Sequence, residues 1–300
     1  MSRNTAKLWT PRSTRSWPPR RRFWTGARCT SVSPLKPAHF IRIFGSPWAS
    51  DARGVPFKKE FPMRDTVKLH TPVKMIAHRG LSGLERENTA AAFIAAGQRS
   101  YYGIEADVHR TADGKFIIIH DDSPARVAGV KGTVEEMTFD ALRCMRLRDL
   151  ANTPREDLAL PSLEEYVRIC KEYDKQSVLE LKNHMDPQDI RAIINIIRAD
   201  GWLERTTFIS FDLPNLICLR DLLPQQSLQF LTKEQNKKLL PLLVEYRLDL
   251  DIKFTALNAK LVDACHNNGL LVNAWTVDNP EQGRKLAALG VDFVTSNILE

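Results

Sequence analysis

The chain has 300 residues, 43 Lys and Arg against 36 Asp and Glu, and a formal charge of +7. That excess is local: residues 1–62 hold thirteen basic and two acidic side chains and residues 63–300 carry a net −4, so the basic balance is no argument for a nucleic-acid partner and none is expected. No run of about 18 apolar residues occurs, so no transmembrane segment is expected. The five cysteines (Cys29, Cys144, Cys170, Cys218, Cys265) are odd in number, far apart and without a Cys-x-x-Cys pair. They read as isolated reduced thiols of a cytoplasmic protein, not a disulfide framework or a zinc site.

Residues 1–62 hold four of the six tryptophans and eight of the seventeen prolines and show no apolar periodicity. The Arg- and Ser-rich composition, with no Asp or Glu in residues 1–50, also fits a transit peptide or a basic arm. The preferred reading is a basic, disordered extension of no structural importance, with a folded domain spanning 63–300 and Met63 a plausible alternative start.

From residue 73 onward, short β-branched runs alternate with helical patterns. "VKMIAH" reads as a strand, and "NTAAAFIAAGQRS" as a helix opened by Asn88 or Thr89 as N-cap. "GIEADVH" and "KFIIIH" are strands joined by "TADG"; "SLEEYVRICKEY" is a helix whose Ser162 and Glu165 have capping-box spacing. "SVLELK", "TTFISF", "LQFL", "LDIKF", "LLVNAWTV" and "DFVTSN" follow as strands, with helical segments between them. Repeated βα units over about 240 residues predict a (β/α)8 TIM-type barrel. A doubly wound sheet is the alternative, but its glycine-rich first turn is missing. Nine strand candidates are one too many, so one is a β-hairpin excursion. Residues 121–160, after the third strand, form a small insertion with a helical pattern near 138–147.

Several polar residues stand in apolar strands, where burial is costly unless they are used or paired. Glu105 and Asp107 are two apart and share a strand face. A two-residue Asp113-Gly114 turn would set Asp107 opposite His120 and Glu105 opposite Asp122. His78 and His120 each close an apolar run, and Glu180 and Lys182 share a face of "SVLELK". Three carboxylates suit one hard divalent cation, Ca²⁺ or Mg²⁺. Arg79 and Lys182 supply positive charge for phosphate, and two histidines suit acid and base work near neutral pH. Trp275, at a strand end, either packs in the core or lines the site. His109 reads as an outward strand position, and His184 and His266 as loop or helix-end residues without a role.

In order, "HRG…ENT" (78–80, 87–89), "EADV" (105–108), "TADG" (111–114), "HDD" (120–122), "LPSLEE" (160–165), "LELK" (179–182), "SFD" (210–212), "WTVDN" (275–279) and "GVDFVTSN" (290–297) give the chain its resemblance. It resembles the glycerophosphodiester phosphodiesterase family over residues 73–300. The resemblance implies a (β/α)8 barrel and metal-dependent hydrolysis of glycerophosphodiesters to glycerol 3-phosphate and an alcohol. It implies His78 and His120 as the acid–base pair, Glu105, Asp107 and Glu180 as metal ligands, and Arg79 and Lys182 as phosphate contacts. Two departures stand out: Arg86 precedes Glu-Asn-Thr where the family usually has Pro, and "ARVAGVKG" (125–132) follows "HDD" in place of an Arg-Thr-Thr run. The alternative is a related barrel phosphodiesterase acting on lysophospholipids or phosphoinositides, which would need an apolar mouth; residues 121–160 show no aromatic cluster. A non-enzymatic binding protein on the same scaffold would be expected to lack one of the two histidines or three acids. Oligomeric state is not legible in the sequence.

Overall fold

The computed structural model describes residues 65–300, so the predicted extension 1–62 lies outside the described residues. The elements run β1 (Lys74–Ala77), α1 (Ala90–Gly97), β2 (Gly103–Arg110), β3 (Phe116–Ile118), α2 (Ala125–Ala128), α3 (Phe139–Arg143), α4 (Leu163–Glu172), β4 (Gln176–Leu181), α5 (Pro187–Ala199), β5 (Thr206–Ser210), α6 (Leu213–Leu222), β6 (Leu228–Thr232), α7 (Leu239–Tyr246), β7 (Asp249–Lys253), α8 (Ala259–Asn267), β8 (Val272–Trp275), α9 (Pro280–Ala288) and β9 (Phe293–Ser296). Eight parallel strands close into a barrel in the order β1-β2-β4-β5-β6-β7-β8-β9, with β9 returning to β1. The ninth, β3, is antiparallel to β2 and stands outside the parallel ring. The barrel with its hairpin excursion is therefore as the strand pattern predicts.

Local chemistry explains where the helices begin. Ser162 and Glu165 form the reciprocal capping box before α4, and the side chains of Thr89, Asp212, Asn258 and Asn279 each accept a hydrogen bond from a first-turn N–H. Alternate strand residues divide the packing. Ile76, Val178, Ile209, Leu231 and Phe293 fill the barrel interior beneath Trp275, while a larger cluster including Ile104, Leu179, Phe208 and Leu250 seals the strands against the helices. The insertion has its own small core of Ile117, Ile119, Val127, Val134, Leu142, Leu147, Leu158 and Leu160. Its apolar side chains are used internally, which lets it stand over one side of the mouth as a folded unit. It holds two short helices, α2 as well as the α3 that the sequence pattern indicates.

The hairpin register differs from expectation by one residue. Val108 pairs with Ile118 and Arg110 with Phe116, so Asp107 lies level with Ile119, whose N–H donates to the Asp107 carbonyl at 2.9 Å. The turn is a three-residue loop, in which Gly114 takes φ +75° and Thr111 and Lys115 close the ends. Asp-Gly favours a two-residue turn, but Gly in the left-handed region serves equally as the last residue of the longer loop. Among the described residues Cys170, Cys218 and Cys265 are free thiols. Among the described residues no helix is long and apolar enough to cross a membrane.

Candidate active site

The carboxyl ends of the barrel strands converge on one cavity. His78, Arg79, Glu105, His120, Glu180 and Trp275 all line it, together with Ile209, Phe211, Leu231, Asp251 and Thr295. Asp107 and Lys182 complete the polar wall: Lys182 Nζ lies 2.8 Å from Glu180 and 3.6 Å from Asp107. The structure thus brings all eight sequence-predicted site residues together, including the histidines that follow β1 and β3 and the acids of β2 and β4.

The turn after β1 is shaped by backbone geometry. Arg79 and Gly80 both adopt left-handed φ (+55° and +76°), and a Cβ on Gly80 would meet the Ala92 backbone at 2.7 Å. This tight turn aims the Arg79 N–H at Glu105, 2.8 Å away, and leaves the guanidinium 3.5 Å from Asp107 and 2.8 Å from Glu87. Asn88, also at positive φ, is not the cap of α1, which is Thr89. Its amide donates to Asp107 at 2.7 Å instead.

Glu105, Asp107 and Glu180 are all buried, and each offers an oxygen within 4.8 Å of the others. Packing three acids together keeps them from sharing charge equally. Burial and the Asp107 charge raise Glu105 well above the usual carboxylate range, and the same two causes lift Glu180 to about 7 in spite of Lys182. Burial also acts against the Asp107 charge, but Arg79 and Lys182 outweigh it and hold Asp107 below its ordinary value. Asp107 Oδ1 is buried without a hydrogen-bond partner. Three converging carboxylates, one with an unsatisfied oxygen, fit a hard divalent cation that takes oxygen ligands.

The two histidines have different partners. Burial and the Arg79 charge press His78 down to about 4, opposed by a hydrogen bond with Asn297. Its Nδ1 lies 2.8 Å from Asn297 Oδ1. His120 Nδ1 lies 2.7 Å from the Asp121 carboxylate. Burial lowers His120 too, with Arg79 and Lys182 assisting and Asp107 and Asp121 opposing.

Asp121 belongs to a network that sequence reasoning missed. Arg126, on α2, clamps Asp121 and Glu87 together through bonds of 2.7–3.1 Å, and Glu87 in turn holds Arg79. Burial works against the Glu87 charge, but Arg126 and Arg79 pull it down to about 2, and Asp121 is likewise drawn to about 2 by Arg126 and His120 against burial. The chain Arg79–Glu87–Arg126–Asp121–His120 ties the insertion to both histidine-bearing turns. Arg126 lies within "ARVAGVKG", the stretch that departs from the family pattern.

Three further residues stand differently from, or outside, the sequence reading. His109 is wholly buried, not outward: it shares the Glu105 and Asp107 face, and its ring lies 3.3 Å from Glu135 and 3.4 Å from the His120 carbonyl, under the insertion. Asp251, on β7, is 2% exposed, lines the cavity and leaves Oδ1 unpartnered; burial and Glu180 raise it well above a normal carboxylate. Phe211, 42% exposed, meets the Trp275 ring edge-on at 5.7 Å, with Lys233 Nζ 5.6 Å from the centre of the Phe211 ring. His184 and His266 stand apart from the cavity, beside Asp212 and Asp292.

A sequence profile of the glycerophosphoryl diester phosphodiesterase family matches residues 78–299. The chain belongs to that family. Among curated relatives, a glycerophosphodiester phosphodiesterase of Bacillus altitudinis is 28% identical over 230 residues, covering 74% of this chain and 93% of the relative. That of Caldanaerobacter subterraneus subsp. tengcongensis is 27% identical over 228 residues, with the same coverage of each chain. Among solved structures, a glycerophosphodiester phosphodiesterase of Parabacteroides distasonis is 26% identical with a TM-score of 0.63, covering 78% of this chain and 94% of its own. An Oleispira antarctica phosphodiesterase, solved with the product sn-glycerol-3-phosphate, is 24% identical with a TM-score of 0.69 and coverage of 77% and 96%; at that identity the likeness speaks for the fold. Family membership and the cavity at the carboxyl ends of the strands agree, since barrels of this type place their sites there.

Proposed function

We propose that the chain hydrolyses glycerophosphodiesters to glycerol 3-phosphate and an alcohol, using one divalent cation, Ca²⁺ or Mg²⁺, held by Glu105, Asp107 and Glu180. The observation that carries this reading is the convergence of those three buried carboxylates with two histidines and two cations in one cavity. Such a cation, when bound, would neutralise phosphate oxygens and stabilise charge in the transition state.

The chain's own residues have separable tasks. Arg79 and Lys182 face the phosphate, a monoanion whose charge repels nucleophiles, and offset that charge. His78, left neutral by its lowered proton affinity, takes the proton of the attacking oxygen, which is that of a water or of the substrate's glycerol 2-hydroxyl; the second gives a cyclic phosphate that water then opens to glycerol 3-phosphate. His120, backed by the Asp121 carboxylate, gives a proton to the leaving alkoxide. A bound phosphodiester favours that protonated form, because its negative charge counters Arg79 and Lys182, two of the groups that depress His120. Arg126 and Glu87 hold these groups in register. Phe211, Trp275, Ile209 and Leu231 make the opposite wall apolar, suited to the carbon skeleton of the substrate.

The direct test is release of glycerol 3-phosphate from glycerophosphocholine, with and without chelator. Chelator-sensitive release is expected; no release from any glycerophosphodiester overturns the reading. The exposed Phe211 beside Trp275 favours a second reading, an acylated substrate such as a lysophospholipid. Faster turnover of lysophosphatidylcholine than of glycerophosphocholine would select it.

A further inference from the structure

The cavity's proton acceptor has a support whose logic is fixed by hydrogen bonds alone. Asn297, one residue past β9, offers the two ends of its amide to different neighbours. Nδ2 lies 2.6 Å from Asp278 Oδ2, while the Asn297 backbone N–H and the Ser296 hydroxyl donate to Asp278 Oδ1 at 2.8 and 3.0 Å. A carboxylate only accepts, so the amide nitrogen belongs at Asp278 and the amide oxygen must turn the other way. That oxygen lies 2.8 Å from His78 Nδ1 and 2.7 Å from the Ser82 hydroxyl. An amide oxygen also only accepts, so His78 Nδ1 must carry a hydrogen, and in a neutral imidazole the other nitrogen then carries a lone pair.

We propose that Asp278 and Asn297 are positioning residues that lock His78 in the tautomer with Nδ1 protonated and Nε2 free to accept a proton. The consequence for turnover rests on the hydrolase reading above; the tautomer does not. The Ser82 hydroxyl supports the brace by sharing its one hydrogen between the amide oxygen and the His78 carbonyl, 2.8 Å away, while the His78 N–H donates to the Ser296 carbonyl at 2.8 Å. Backbone and ring are thus pinned from the same side.

The contrast with His120 gives the device its point. Both rings present Nδ1 to an oxygen, but Asp121 touches His120 directly, whereas the Asp278 charge stands one side chain removed from His78. A directly bonded carboxylate stabilises an imidazolium; an amide oxygen orients the ring and adds much less pull on a second proton. The same fold therefore prepares one histidine to receive a proton and the other to release one. In the hydrolysis, the O–H proton of the nucleophile passes to His78 Nε2 as its oxygen bonds to phosphorus. The bond from phosphorus to the departing oxygen breaks, and the His120 Nε2 proton goes to that oxygen, so one proton is taken and one given.

The experiment is a long-range proton–nitrogen correlation spectrum of the ¹⁵N-histidine-labelled protein at neutral pH, with His78 signals assigned by their loss in His78→Gln. In the wild type the His78 Nδ1 is expected as a protonated, pyrrole-type nitrogen and Nε2 as a bare, pyridine-type one. Asn297→Ala is expected to mix the tautomers and to lower kcat by up to roughly 10²-fold, the lower end of what a positioned acid–base group contributes, with KM changed by less than about threefold. Asp278→Ala frees the amide to turn over and should also mix them. Asn297→Asp keeps an acceptor at Nδ1 and should retain the wild-type tautomer, so the proposal stays testable where the alanine variant fails to fold. A bare Nδ1 in the wild type, or an unchanged tautomer in Asn297→Ala, overturns the proposal. The expected spectrum in a protein that hydrolyses no glycerophosphodiester would leave the positioning intact and remove the hydrolase reading instead.

Discussion

The two halves of the barrel mouth are built from opposite materials. On the side of β1, β2 and β4 the cavity wall is charged: Arg79, Glu105 and Glu180 with His78, and Asp107 and Lys182 directly behind. On the side of β5, β6 and β8 it is Ile209, Phe211, Leu231 and Trp275. Asp251 on β7 is the exception, a buried carboxyl with one oxygen unpartnered on the otherwise apolar side. The difference teaches how one scaffold divides labour. Charged groups are placed where strands abut, each held by neighbours on adjacent strands, and the apolar half is left to meet whatever the reacting phosphate carries.

If that division holds, substitutions in the charged half should act on the chemical step and those in the apolar half on binding. The largest effect is expected for His78→Ala or His120→Ala. Each should lower kcat by about 10²–10⁴-fold while the melting temperature stays within a few degrees of the wild type. A variant with near-normal turnover would break the comparison at its strongest point. In the apolar half, Phe211→Ala and Trp275→Ala should raise KM by roughly 10-fold through lost apolar burial, with kcat changed by less than about threefold. A kcat loss as large as the histidines' would show that the two walls do not divide the work.

Glu87 and Asp121 sharpen the comparison on the charged side. Both are depressed to about 2 by Arg126, with Arg79 or His120 assisting, against burial. Their folded values lie below the usual carboxylate range, so the stability they contribute is complete above about pH 4.5 and lost as pH falls toward 2. Thermal melts from pH 7 to pH 2 should therefore show the wild type losing stability more steeply than Arg126→Gln, the two converging at the acid end. Parallel curves would mean that the clamp contributes nothing. A smaller effect is expected at Asp251. Burial and Glu180 both disfavour its charge, so Asp251→Asn should melt equal to or a few degrees above the wild type in the presence of chelator. A clear loss of stability would show that the hydrogen bond with Asn273 outweighs the cost of burial.

Much of the charged half is legible in the sequence, and the reason is energetic. An acid or imidazole in an apolar strand is costly unless used, so Glu105, Asp107, Glu180, His78 and His120 advertise themselves locally. Strand count and order are legible for a similar reason, since β-branched runs alternate with capped amphipathic helices. What remains hidden is pairing across the chain. Asn297 meets His78 across 219 residues and Arg126 meets Glu87 across 39; neither shows a spacing signal, although Asn297 and Asp278 lie within two of the motifs in which the resemblance is written. His109 reads as outward in the sequence because the insertion that buries it cannot be docked from composition. The hairpin slipped by one residue because Asp-Gly serves two loop lengths. Asp251 carried a local signal, an acid in "LDIKF", but one strand-end acid among many is weak evidence without the cavity.

The central claim is that Glu105, Asp107 and Glu180 form one cation site, and thermal melting with and without added Ca²⁺ or Mg²⁺ tests it most directly. Crowded, buried carboxyls should be relieved by the ion, so the wild type should melt higher with the cation than with chelator. Glu180→Gln should lose that shift, and with it glycerol 3-phosphate release, while melting in chelator at least as high as the wild type. A Glu180→Gln protein that keeps both the cation-dependent shift and turnover would contradict the account.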